Sequence, residues 1–190
     1  NEEDTAFSLA ARASDLAVKS FVELVEGLEK GTLVESSAQE ARNFHFKSDR
    51  PGISVLDWTK PASVLLQLVR ALDFGNEENW MARAKLRLPD GNFLCVGGAS
   101  LKVGAEQTPG KVLRVSREGV EISARGGVVT LSDLTSIEGD ALGGNDLGNF
   151  GLVAGIVLPL LTADVSSDGA ALDRKVTKTE RYWVKKLDSM

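Results

Sequence analysis

The sequence is short of the residues that carry most metal and redox chemistry. It has one cysteine, Cys95, and one histidine, His45. A lone cysteine excludes an internal disulfide, and with it any dependence on an oxidising compartment. Zinc sites draw on three or four nitrogen or sulfur ligands, so no metal site is expected. The longest apolar run, Phe150 to Leu161, covers 12 residues, well below the roughly 20 that a membrane-spanning helix needs. No basic segment followed by an apolar one opens the chain, so a secretory leader is not expected either. Together these absences place the expected location in the cytoplasm.

What is present is ordinary for a folded domain. The 190 residues are 43% hydrophobic and 26% charged, which excludes a disordered or collagen-like chain. The formal net charge of −5 argues mildly against a dedicated nucleic-acid binder. The charge is unevenly spread, however. Residues 1–40 carry nine acids and three bases, whereas residues 41–134 carry 13 bases and 10 acids, a net of +3. An anionic partner is favoured only in that middle stretch. The chain begins at Asn1 and ends at Met190 inside a helical pattern. Both ends read as cuts, and a piece of something longer is expected.

Periodicity divides the chain. Leu9, Leu16, Phe21, Leu24, Val25 and Leu28 fall near one face of a helix over residues 5–30. Asp4 and Thr5 can cap it, and Gly31 can stop it. Residues 32–58 are irregular, with a turn at Pro51-Gly52. A second helix is expected from about Thr59 to Leu72, with Pro61 in its first turn and Val64, Leu65, Leu68, Val69 and Leu72 buried. Short strands follow. Ala82, Ala84, Leu86 and Leu88 alternate with Arg83, Lys85 and Arg87, and Pro89-Asp90-Gly91-Asn92 marks a turn. Further strands are expected at 93–96, continuing through 100–103 past Gly97-Gly98, and at 111–115, 120–124 and 128–131. Tight turns between short strands predict a small closed antiparallel barrel, which would remove exposed edges. The fold class is therefore α+β: N-terminal helices, an OB-like β-barrel, then a C-terminal linker and a helix from about Thr179. The dense glycines from Gly139 read as a connector, and the run from Phe150 to Leu161 needs a surface to pack on.

Few residues offer chemistry. Asn43, His45 and Asp49 form a conceivable acid–base set, but a loop histidine between Phe44 and Phe46 is the simpler account. Cys95 reads as a buried strand thiol without a base to activate it. Gly110-Lys111 leads into a strand rather than a helix, which excludes a phosphate loop. Arg83, Lys85 and Arg87 share one face of one strand. They are the candidate acceptor-binding residues, for RNA phosphates or a phosphopantetheine arm. The alternative is a solvated face that protects a sheet edge.

Val55 to Asp140 resembles the C-terminal domain of the formyltransferase family, which includes the methionyl-tRNA enzymes. The marks run in order: Leu56-Asp57-Trp58, a helix with Ala62 that ends Val69-Arg70-Ala71-Leu72, a strand with Ala84-Lys85-Leu86, then Pro109-Gly110-Lys111-Val112-Leu113, Gly119-Val120 and Val128-Val129-Thr130-Leu131. The helix of residues 5–30 resembles the last helix of the family's catalytic domain, and Gln39 matches a linker glutamine. Arg70-Ala71-Leu72-Asp73-Phe74-Gly75 followed by Asn79, and Glu180-Arg181-Tyr182-Trp183 with Leu187, look like formyltransferase-like regions within nonribosomal peptide synthetases. Trp80-Met81 departs from that pattern.

The resemblance implies four parts. These are the end of the catalytic domain (1–31), a linker (32–54), the C-terminal barrel domain (55–142) and a linker towards a following domain (143–190). It implies that the catalytic asparagine, histidine and aspartate lie upstream, since no His-x-Ser-x-Leu-Pro stretch occurs here. Asn43, His45 and Asp49 do not correspond to them. The segment would hold no cofactor itself, while the whole enzyme would use 10-formyltetrahydrofolate to formylate an amine. The implied role is a non-catalytic formylation-module piece of a peptide synthetase that positions the acceptor and spaces domains. Its partners would be the upstream catalytic domain and a carrier-protein phosphopantetheine or an adenylation domain. Two alternatives remain open: the tRNA-binding part of a methionyl-tRNA formyltransferase, and a purely structural packing domain.

Overall fold

The computed structural model describes residues 3–33, 54–75, 82–104, 108–144 and 146–162, with Ala171 and Lys186 singly. Asn43, His45, Asp49, Gln39, Asn79 and the expected C-terminal helix lie outside the described residues, apart from Lys186.

Helix α1 spans Ala6–Lys30. Thr5 is its N-cap, and a capping box joins it to Ser8: the Ser8 amide donates to Thr5 Oγ1 and the Thr5 amide to Ser8 Oγ. These bonds satisfy orphan donors of the first turn. Gly31 ends the helix in the left-handed conformation. Asp4 does not cap; it accepts from Ser8 Oγ and pairs with Arg12. No residue of α1 is buried.

Helix α2 spans Ala62–Ala71, starting later than the expected Thr59. The cause is local: the Thr59 amide and hydroxyl both donate to Asp57 Oδ1, at 3.0 and 2.8 Å, which holds a turn before the helix. Pro61 is then the N-cap, and the Ala62 amide donates to the Arg125 carbonyl at 2.9 Å. Ala62, Leu65 and Val69 are buried on one stripe that faces the sheet. Val64, expected in the core, is exposed instead, and Leu68 is only partly buried. A ten-residue helix lying on one sheet face covers a narrower arc than its apolar residues occupy.

Five antiparallel strands follow: β1 (Ala84–Arg87), β2 (Phe93–Lys102), β3 (Val112–Ser116), β4 (Gly119–Ala124) and β5 (Gly127–Thr135), in sheet order β1-β2-β5-β4-β3. The expected alternation holds, with Ala82, Ala84, Leu86 and Leu88 all buried. The strands do not close on one another; β1 and β3 end the order. Irregular segments cover those ends instead. Along β1, the Leu56 amide donates to the Lys85 carbonyl and the Lys85 amide to the Ser54 carbonyl. Along β3, the Val112 amide donates to the Ile156 carbonyl, and the Gly155 amide to the Val112 carbonyl. The edge groups a closed barrel would pair are thus paired by chain that is not itself strand.

β5 is longer than expected, running to Thr135, because it bends together with β2. Gly97 and Gly98 lie opposite Asp133 and Ser132, and Asp133 has φ of 52°. The glycines leave room that a Cβ would deny to Asp133 and Ser132. At the β3–β4 turn, Gly119 has φ of 137°, and a Cβ there would run into the Leu131 carbonyl.

One cluster forms the core. Leu56, Trp58, Val69, Leu86 and Val112, all expected inside, are each at most 2% exposed. Leu147, Leu152 and Leu158 join the same cluster. The apolar run after the glycine-rich stretch therefore finds its surface on the sheet domain.

Candidate acceptor-binding face

Burial of Ala84 and Leu86 fixes the facing of β1. Its other residues, Lys85 and Arg87, must lie on the opposite, outer face of the sheet, about 7 Å apart along the strand. Both are half-buried, and Arg83, which precedes the strand, is exposed. Arg83 thus lies one residue outside β1 rather than within it.

The register sets their neighbours. Arg87 lies opposite Phe93, and Lys85 opposite Cys95, which in turn lies opposite Thr135 of β5. A cation beside a half-buried aromatic is a pairing that suits phosphates and unstacked bases together. Cys95 is buried and forms no disulfide, as expected for a strand position. The Thr135 hydroxyl is buried without a hydrogen-bond partner. Because residues 54–56 already pair with β1, the cations are not needed to guard an open strand edge. That weakens the edge-protection account of the stripe.

A second feature was not legible in the sequence. A cavity of about 390 Å³ opens between the β3–β4 turn, the end of β5 and residues 141–147. Arg117, Glu118, Asp133, Thr135 and Leu147 line it. Its charges are mixed, and Arg83, Lys85 and Arg87 are not part of it. No local motif announces it, since its walls come from three separated stretches that meet only in the fold.

Strong perturbation of acidity occurs elsewhere. The Arg12 guanidinium, helped by the Ser8 hydroxyl, holds the Asp4 carboxyl well below the usual carboxylate range. A backbone amide and Ser136 lower that of Glu138. Neither group belongs to the β1 face or the cavity. Among the described residues, no cluster of three or more His, Cys, Asp or Glu side chains could hold a metal ion. None of their helices is long and apolar enough to cross a membrane.

The fold defined by these elements is an α+β domain built on an open five-stranded antiparallel sheet. Residues 51–150 match the family described as formyl transferase, C-terminal domain, and the chain belongs to that family. It is 32% identical over 148 residues to a methionyl-tRNA formyltransferase of Pseudomonas paraeruginosa, covering 77% of this chain and 45% of that protein. It is 27% identical over 133 residues to the methionyl-tRNA formyltransferase of Geotalea uraniireducens, covering 67% of this chain and 38% of that protein. The chain thus spans less than half the length of these curated relatives. Among solved structures, HypX from Aquifex aeolicus in complex with tetrahydrofolic acid aligns with a TM-score of 0.50 and 22% identity, over 73% of this chain and 24% of HypX. At that identity the likeness concerns the fold.

Proposed function

We propose that this chain is the non-catalytic, acceptor-positioning part of a formyltransferase. The observation that carries the reading is the placement of Lys85 and Arg87, with exposed Arg83 beside them, on the outer face of a domain of this family. A polyanionic acceptor would lie along β1, with Phe93 available to a base. The names of the relatives support an acceptor carried on tRNA. A carrier-borne aminoacyl group, as in a peptide synthetase, would need contacts to an acidic carrier protein, and it is the competing outcome of the test.

In this account the catalytic residues and the 10-formyltetrahydrofolate site lie in sequence upstream of this chain, in a cytoplasmic enzyme. Helix α1 belongs with that upstream part. Its exposed Leu16, Phe21, Leu24 and Leu28 form the face that the catalytic domain would cover.

The test is equilibrium binding of labelled tRNA and of a phosphopantetheinylated carrier protein, between 50 and 200 mM salt. Three phosphate contacts predict that log K for tRNA falls with log salt with a slope of about 2 to 3. The combined substitution of Arg83, Lys85 and Arg87 by alanine should remove most of that slope. Tighter, tRNA-independent binding of the carrier protein would support the synthetase reading. Binding of neither would leave a structural packing domain.

A further inference from the structure

Helix α1 meets the sheet domain at one end. Its first turn is half-buried at Asp4, Thr5, Ala6 and Ser8, whereas all but one of its residues from Leu9 to Lys30 are exposed. The Phe7 amide, one of the donors that an α-helix leaves without an internal partner, donates to the Asp73 carbonyl at 3.0 Å. Asp73 directly follows Leu72, the C-cap of α2. The positive end of one helix therefore docks on the negative end of another. The loop that offers the carbonyl is itself fixed, because the Gly75 amide donates to Asp73 Oδ1 at 2.9 Å. The Phe7 ring lies over Gly75, whose φ is 61°, with ring carbons 3.4–3.7 Å from where a Cβ would stand. On the α1 side, the Thr5–Ser8 capping box and the Asp4–Arg12 pair hold the first turn rigid around Phe7.

We propose that the first turn of α1 and the Asp73–Gly75 loop form an orienting joint, with Phe7 as the positioning residue that sets the angle between α1 and the sheet. Whatever covers the apolar face of α1 is thereby held at a fixed attitude to the outer face of β1. The inference goes beyond the acceptor reading and does not depend on it: tRNA binding can fail while the joint stands, and the reverse.

The experiment places spin labels at Glu23→Cys on α1 and Arg114→Cys on β3, in the full 190-residue chain with Cys95→Ala, and measures their distance distribution. A single narrow distribution is expected. Phe7→Ala removes the ring and should broaden it partly. Phe7→Pro removes both ring and donor at a first-turn position where proline suits the helix, and should at least double the width. Gly75→Val attacks the joint from the other side and should also broaden it. Helix content and the thermal midpoint of the sheet domain should stay unchanged in Phe7→Pro, which separates lost orientation from lost folding. A distribution already broad in the unsubstituted joint, or one that stays narrow in Phe7→Pro and Gly75→Val, overturns the proposal.

Discussion

Helix α1 and the sheet domain are built from similar residues but stabilised in different ways. The sheet domain closes its own core around Trp58, Leu86, Ile122 and Leu131, each at most 1% exposed. Helix α1 carries an apolar stripe at helical spacing, yet Leu16, Phe21 and Leu28 are each more than half exposed. What it lacks is a partner surface, since helical stability in proteins comes largely from packing of an amphipathic face. Its local devices, the capping box, Gly31 and the pairs Asp15–Lys19 and Glu26–Lys30, are each worth only tenths of a kcal/mol to about one. The difference teaches that an apolar stripe at helical spacing does not by itself say whether its face is covered within a given stretch of chain; the fold does.

Substitutions can break this contrast, beginning with the largest effect. Trp58→Ala should destabilise the sheet domain by about 3–5 kcal/mol in denaturant unfolding, because a fully buried indole leaves a cavity beside Gly110 and Leu158. Gly119→Ala should cost about 2–4 kcal/mol, combining a positive φ with collision against the Leu131 carbonyl. On α1, Phe21→Ser should change the unfolding free energy of the sheet domain by no more than about 0.5 kcal/mol in this chain. A cost there comparable to that of Trp58→Ala would abolish the contrast.

The smallest effect is one of pH. The Asp4 carboxyl is held below its ordinary value in the folded chain, chiefly by Arg12. A carboxylate with a depressed folded value contributes stability that is present above its unfolded value of about 3.9 and is lost as pH falls through the folded value. Circular dichroism should therefore show the first turn of α1 loosening below about pH 4, with the sheet unaffected. Asp4→Asn should give the loosened state at neutral pH, and an identical acid response in that variant would contradict the assignment.

Much of the fold was legible because its signals are local. Alternation from Ala82 to Leu88 placed β1, its buried face and the two cations on its outer face. The turn residues at 89–92 placed the hairpin of β1 and β2. Three features were less legible. Val64 looked buried because it is apolar at helical spacing, but a short helix on a sheet covers one stripe only. β5 runs on to Thr135 through Ser132-Asp133, a polar pair that breaks the alternation and marks a bend shared with Gly97-Gly98. Closure was expected from strand count and turn spacing, whereas the edges are paired by segments around Val55 and Ile156 that carry no strand pattern.

The candidate site divides the same way. The facing of Lys85 and Arg87 follows from the period of a strand, so the sequence sufficed for it. Their neighbours depend on register: Phe93 and Cys95 through the β1–β2 hairpin, and Thr135 through the pairing of β2 with the more distant β5. The cavity beside Arg117 depends on three segments meeting, and no spacing in the sequence encodes that.

The central claim is that the sheet domain closes its own core while no residue of α1 is buried, so that the two differ in protection. Native-state hydrogen exchange on the 190-residue chain tests it most directly. Amides of β2, β4 and β5 should exchange at least about a hundredfold more slowly than those of α1 beyond its first turn, as expected when one region opens only by global unfolding and the other locally. Protection of α1 equal to that of the strands would contradict the account, because it would require a buried face that the structure does not have.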